Sequence, residues 1–261
     1  MNDSLYIAAT GMQAQQLNVN TIANNLTNVN TPGFKKGRVL FQDLVYRELN
    51  RSTAIDDAQG SAGVSQGTGV GIASLAKLFT AGDLTKTDSP FDVAIQGVGF
   101  FEVTLPDGTH AYTRGGTLHV NRDGFLATAD DNPLKPNVHI GTGDVREISI
   151  NADGKVFVRA GGQTQASEVA RIELVNFADP SGLTSLGNNL YRPSDKSGDA
   201  IYGRPGEDGY GTISQGYVEA SNVKLVEEMV NLMTAQRAYE MSVKVIQASD
   251  EMLGMSNNLR K

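Results

Sequence analysis

Near the start of the chain the apolar positions fall alternately three and four residues apart. Leu5, Ala8, Met12, Gln15, Val19, Ile22, Leu26 and Val29 keep that spacing, with one polar slip at Gln15. The pattern predicts a helix that buries one seam against partner helices. Thr31-Pro32-Gly33 predicts its end near Asn30, because proline disfavours helix in the residue before it and glycine opens a turn. Phe34 is then expected to fold back as an apolar anchor. The other end of the chain repeats the alternation at Leu225, Met229, Leu232, Gln236, Tyr239, Val243, Ile246, Asp250 and Leu253. A second stripe, Val226, Val230 and Met233, runs beside its first half. Ser221 or Asn222 is expected to cap this helix.

Between the helices the period changes to two. Val93 to Ile95, Phe100 to Leu105, Thr117 to Val120, Phe125 to Thr128, Ile148 to Ile150, Val156 to Val158 and Ile172 to Phe177 read as short strands. Asp107-Gly108, Asp123-Gly124, Asp153-Gly154 and Asp208-Gly209 mark tight turns, since glycine accepts positive φ. Before this region, Val39 to Leu49 is ambiguous, with a short helix expected around Phe41 to Tyr46. Asn50 to Gly71 is rich in Ser, Ala, Gly, Gln and Asp, and is expected to be disordered or an extended arm. Its small residues Ser61, Ala62, Gly63 and Gly67 would let it pack closely against another subunit. Val70 to Phe79 reads as strand, and Asp195 to Tyr210 as a polar excursion. The expected fold is α+β: terminal helices paired as a coiled coil, a central all-β domain, and the Gly/Ser-rich arm. The expected divisions are 1–34, 35–90, 91–218 and 219–261.

Charge sharpens the picture. From Ser4 to Phe34 there is no Asp, Glu, Lys or Arg, and the face opposite the seam carries Gln13, Gln16, Asn18, Asn20, Asn24, Asn25 and Asn28. A solvated helix face normally carries charges, so this helix is expected to be packed on several sides. Its amides interrupt it too often for a membrane span. Lys35, Lys36 and Arg38 read as a small solvated basic face. Net charge is −7 over 261 residues, which argues against nucleic acid as the main partner. There is no cysteine, hence no disulfide framework, thiolate metal site or cysteine nucleophile. No cleavable signal pattern opens the chain, so any export is expected to use another route.

Catalytic motifs carry little weight. Gly63-Val64-Ser65-Gln66-Gly67 matches G-x-S-x-G literally, but a nucleophile elbow needs a strand before it and a helix after it. His110, His119 and His139 have no partner at metal spacing. Asp130-Asp131 lacks the EF-hand pattern and reads as a solvated loop. No catalytic residue, cofactor or metal ligand is expected.

Four stretches carry a resemblance. They are Ala23-Asn24-Asn25-Leu26-Thr27-Asn28-Val29-Asn30-Thr31-Pro32-Gly33-Phe34, Asp92 to Phe101, Tyr112-Thr113-Arg114-Gly115-Gly116 with Asp123 to Leu126, and Gln215 to Val223 running on through Glu227 to Glu240. In this order, and spanning the chain, they resemble the bacterial flagellar rod and hook proteins. Length and the Ala14-Gln15-Gln16 opening are most similar to distal rod members, with proximal rod members next. The resemblance implies a non-enzymatic subunit, exported through the flagellar type III channel, that stacks into a hollow helical tube in the periplasm. The terminal helices would form the inner tube and the β domain the outer wall. Implied partners are copies of the same chain, proximal rod proteins, the hook protein, the peptidoglycan and outer-membrane ring proteins, and the export apparatus. The expected subunit interface is Leu5, Met12, Val19, Ile22, Leu26, Val29, Phe34, Leu225, Met229, Leu232, Tyr239, Val243, Ile246 and Leu253. Arg237, Glu240 and Lys244 are the expected channel-facing residues.

Overall fold

In the computed structural model, residues 2–44, 46–49, 64–141, 145–160 and 166–258 are described. The two seam-bearing segments are helices: α1 covers Asn2–Thr27 and α2 covers Leu225–Asn258. α1 gives way to turns before Pro32, and Gly33 takes φ 72°, the left-handed conformation that closes the stop. The contacts divide the chain into a helical unit (Met1–Leu26, Gly37–Ala76, Leu225–Lys261) and a β unit (Thr27–Lys36, Lys77–Lys224). The fold is α+β with a central β domain.

In the helical unit, α1 and α2 run side by side in opposite directions. Asn25 of α1 hydrogen-bonds Glu228 of α2, while at the other end Gly11 faces Ser242. The unit also holds a two-stranded ribbon. Gly37–Asp43 pairs with Val70–Lys77, and Tyr46–Leu49 pairs antiparallel with Val64–Gly67. Where a helix was expected around Phe41 to Tyr46, Phe41 to Asp43 and Tyr46 are strand. Burial alternates from Gly37 to Leu40 as a strand's period of two requires, and the apolar cluster at Val39, Leu40 and Phe41 had obscured that alternation. The expected strand at Val70 is present. The stretch from Asn50 to Gly71 is not uniformly irregular, because its second part forms the ribbon strand Val64–Gly67. Ser61, Ala62 and Gly63 lie outside the described residues, and Gly67 ends that strand.

The β unit is a set of short, mostly antiparallel pairings. Its largest sheet runs Leu134–Lys135, Phe101–Thr104, His110–Thr113, Leu190–Arg192, Thr184–Gly187. A second sheet joins Val145–Ile150, Lys155–Ala160 and Ser167–Arg171. The glycines of all four Asp-Gly steps have positive φ, as those turns demand. Each strand read from the sequence is present, but Leu84–Lys86, His110–Thr113, Leu190–Arg192 and Thr212–Gln215 were not legible. The excursion at Asp195 to Tyr210 is also structured: Ile201–Gly203 pairs with Leu174–Asn176, and Ser197 is wholly buried. Val93, Ile95, Phe101, Val103, Leu126, Leu134, Val156, Ile172 and Leu174 form the centre of the core. A second cluster stacks Phe79, Phe100, Phe177, Tyr112 and Tyr191 edge to face, with centroids 4.9 to 6.4 Å apart.

Two pairings close the β unit on itself. Thr212–Gln215 pairs with Val93–Gln96, and Tyr217–Glu219 pairs with Leu84–Lys86. The last strands thus return to the first. The segment entering from α1 and the segment leaving for α2 meet at one place.

Candidate functional site

At that meeting place lies a buried ion cluster. Glu219, at the end of the strand Tyr217–Glu219, accepts through Oε1 from Lys35 Nζ at 2.6 Å, from the Gly82 amide at 2.8 Å and from Arg114 Nη2 at 3.3 Å. Its Oε2 accepts from Arg114 Nε at 2.9 Å. The side chains of Lys35, Glu219 and Arg114 are 0, 1 and 4% exposed, so their charges are compensated chiefly by one another and by backbone groups. The cations spend their remaining donors on backbone. Lys35 Nζ donates to the Thr80 carbonyl at 2.7 Å, and Arg114 Nη1 to the Gly97 and Gly99 carbonyls at 2.9 and 2.7 Å. The cluster carries one anion against two cations, and the two sides respond differently. Burial lowers the pKa of Lys35 against the opposing pull of Glu219. Burial alone would raise the Glu219 carboxyl, but Arg114 and then Lys35 outweigh it and hold it below the ordinary glutamate range.

Lys35 was expected on a solvated basic face. It is instead fully buried, because the turn at Thr31 to Phe34 carries it under the strand end that bears Glu219. The glycines around it are there for space and direction. A Cβ on Gly33 would lie 2.8 Å from the Gly115 amide nitrogen and 3.1 Å from the Arg114 carbonyl carbon. A Cβ on Gly116 would overlap the Val93 carbonyl. Gly97 and Gly99, at φ 121° and 141°, adopt backbone that only glycine takes easily, and so turn both carbonyls onto the guanidinium.

Asn222 adds an uncharged stitch. Its Oδ1 accepts from the Lys36 amide at 2.8 Å, and its Nδ2 donates to the Leu78 carbonyl at 2.8 Å and to Thr80 Oγ1 at 2.9 Å. The expected cap role is therefore not what Asn222 does: its side chain is engaged across the β unit. Ser221 Oγ accepts from the Val223 amide, short of the helix start. Main-chain bonds reinforce the stitch, Gly33 N to Glu219 O at 2.8 Å and Leu78 N to Lys36 O at 2.9 Å. Phe34 is buried, with Lys77 Nζ 4.3 Å above its ring centroid.

The helical unit has its own buried polar knot. Asn25 exchanges bonds with Gly37 (Nδ2 to O 2.9 Å, N to Oδ1 2.8 Å) and donates to Glu228 Oε2 at 3.0 Å. Asn25 and Glu228 are both 1% exposed. Among the seam residues Ile22 is buried, while Leu5, Met12, Val19, Leu26, Val29, Leu232, Tyr239, Val243, Ile246 and Leu253 are part-buried. Leu225 and Met229 are half exposed. The second stripe is more exposed and longer than its first three members: Val226, Val230 and Met233 continue through Met241, Val245, Met252 and Met255. Arg237, Glu240 and Lys244 are exposed.

No enzymatic arrangement emerges from the motifs. Val64–Gly67 of the G-x-S-x-G match is strand and is followed by another strand, not a helix. His110 pairs with Glu102, His119 with Asp131, and His139 packs on Phe125. Among the described residues no His, Asp and Glu side chains group to hold a metal.

Comparison with known proteins gives three family matches. Residues 5–35 match "Flagella basal body rod protein", 94–158 match "Flagellar hook protein FlgE/F/G D1 domain", and 214–259 match "Flagellar basal body rod FlgEFG protein C-terminal". Each matched segment supplies one member of the ion cluster: Lys35, Arg114 and Glu219 respectively. The chain is 46% identical over 256 residues to flagellar basal-body rod protein FlgG of Buchnera aphidicola from Schizaphis graminum, covering 97% of this chain and 98% of the relative. It is 43% identical to FlgG of Caulobacter vibrioides, covering 98% of this chain and 99% of the relative. Against FlgF of the same organism identity falls to 32%, covering 97% of this chain and 95% of the relative.

Proposed function

The chain belongs to the flagellar basal-body rod and hook protein family, and we propose that it is a structural subunit of the distal rod. It is a non-enzymatic component of the basal body, exported by the flagellar type III system, and it polymerises into a hollow helical shaft that carries torque from motor to hook. The observation that carries this reading is the graded likeness within one organism: the match to Caulobacter FlgG exceeds that to FlgF by a wide margin over nearly the same length.

The terminal helices, residues 1–34 and 219–261, form the inner tube by coiled-coil packing. Residues 91–218 form the outer wall. Leu5, Met12, Val19, Leu26, Val29, Leu225, Met229, Leu232, Tyr239, Val243, Ile246 and Leu253 meet neighbouring copies, while Ile22 and Phe34 chiefly secure packing within the chain. The charge-free stretch of α1 from Ser4 to Thr27 suits this place, because a charge repeated in every subunit would face its like. Arg237, Glu240 and Lys244 face the channel. The shaft meets proximal rod proteins below, the hook protein above, and the peptidoglycan and outer-membrane rings around it. The arm within residues 35–90 wedges between axial neighbours and keeps the shaft straight. Deleting Thr53 to Gln66 should then give curved tubes. Straight, stiff tubes would reduce the arm to a linker.

Electron microscopy of the purified chain tests the main reading. Long tubes are the expected result. Cell-wall hydrolysis without polymer would replace it with a secreted β-domain protein that binds or cuts peptidoglycan.

A further inference from the structure

We infer that the Lys35–Glu219–Arg114 cluster, together with Asn222, is a positioning device for assembly. It holds the two places where the chain enters and leaves the β unit in one mutual geometry, the same in every subunit. The inference rests on the polymer reading above and goes beyond it.

Stability alone is a poor account of the cluster. A buried ion pair about breaks even against well-packed apolar residues, because desolvation cancels most of the attraction. Apolar packing was readily available, since the aromatic cluster of Phe79, Phe100 and Tyr191 lies in the same unit, and Arg114 is stacked 5.9 Å from the Phe100 ring centroid. What ions provide and apolar contacts do not is direction. An apolar surface can slide by a fraction of a side chain at small cost. A carboxylate holding four donors, and a guanidinium divided between that carboxylate and two carbonyls, are satisfied in one arrangement only.

The location fits that role. The cluster and Asn222 stitch together three segments, 33–36, 78–82 and 219–222. Two of them lead directly to the helices, one from α1 and one into α2.

Convergence of the three matched family segments on one cluster supports the same conclusion. Lys35 and Glu219 are separated by 184 positions, and only a correctly closed β unit brings them together.

The test uses the full-length chain, whose lack of cysteine permits spin labels at Asn30→Cys and Lys224→Cys, both exposed positions of the β unit. Pulsed electron resonance then reads the spread of distances between the two exits. Lys35→Met keeps the Arg114–Glu219 pair, and Asn222→Ala removes no charge, so at least one variant should retain a folded β unit. The expected result is a distance distribution about twofold wider in both variants, with thermal melting of the β unit little changed and tubes shorter than wild type. A lowered melting temperature with an unchanged narrow distribution would mean the cluster only stabilises, and would overturn the inference. Should the unsubstituted chain form no tubes while the variants still widen the distribution, the positioning role stands and the polymer reading falls.

Discussion

The two units treat apolar side chains in opposite ways. The β unit buries Val93, Phe101, Val103, Leu126 and Leu174 completely. In the helical unit, among the described residues, Ile22 and Val39 are the only fully buried apolar side chains larger than alanine. That unit leaves Tyr6, Val226, Met229, Val230, Met233, Met241, Met252 and Met255 half exposed or more. Full burial of such a side chain is worth about 1.5–3 kcal/mol, so the helical unit holds unused stabilisation that only another surface can release. Domains normally cover such stripes. The β unit covers its own apolar side chains, while the helical unit leaves a stripe of its own uncovered.

The contrast is broken most directly in the β core. Phe101→Ala should cost about 3–5 kcal/mol, seen as a lower urea midpoint of the monomer, with assembly lost because the fold is lost. Leu26→Asp should do the reverse. Part-buried in the chain, it becomes a buried charge in the tube, at several kcal/mol per subunit. Export and β-unit melting should stay normal while cells build no rod, and rods of normal length would refute the assignment of α1 to the inner tube. A smaller effect separates the ion cluster from the core around it. Glu219 is held below its ordinary value of 4.5, so its contribution is present above that pH and lost as pH falls through the lowered folded value. The urea midpoint of the unsubstituted chain should therefore drop through that acid range. Glu219→Gln should be weaker at neutral pH, with Lys35 and Arg114 left without an anion, and should show a flatter acid profile.

Much of this organisation was legible from local pattern. Seam spacing located both helices, and the Asp-Gly steps located four turns whose glycines do take positive φ. Strands with continuous apolar runs, such as Val93–Gln96, were visible. Others were not, because Leu190–Arg192 and Tyr217–Glu219 draw their stability from the strands they pair with rather than from their own composition. The error at Phe41 to Tyr46 has the same origin: three adjacent apolar residues fit either period until a partner strand selects one.

The site was half legible. Its four motifs were visible as separate stretches, and Gly33, Gly97, Arg114 and Glu219 stood within them. Lys35 was misplaced on the surface because a lysine beside Lys36 and Arg38 has no local mark of burial. The sequence by itself determined the helical seams, the absence of charge from Ser4 to Phe34 and the turn-rich β region, since each depends on residues within a few positions of one another. Only the tertiary structure decided that Lys35, Arg114 and Glu219 share one buried cluster. That pairing spans most of the chain, and its free energy exists only after strand closure has excluded water from all three charges at once.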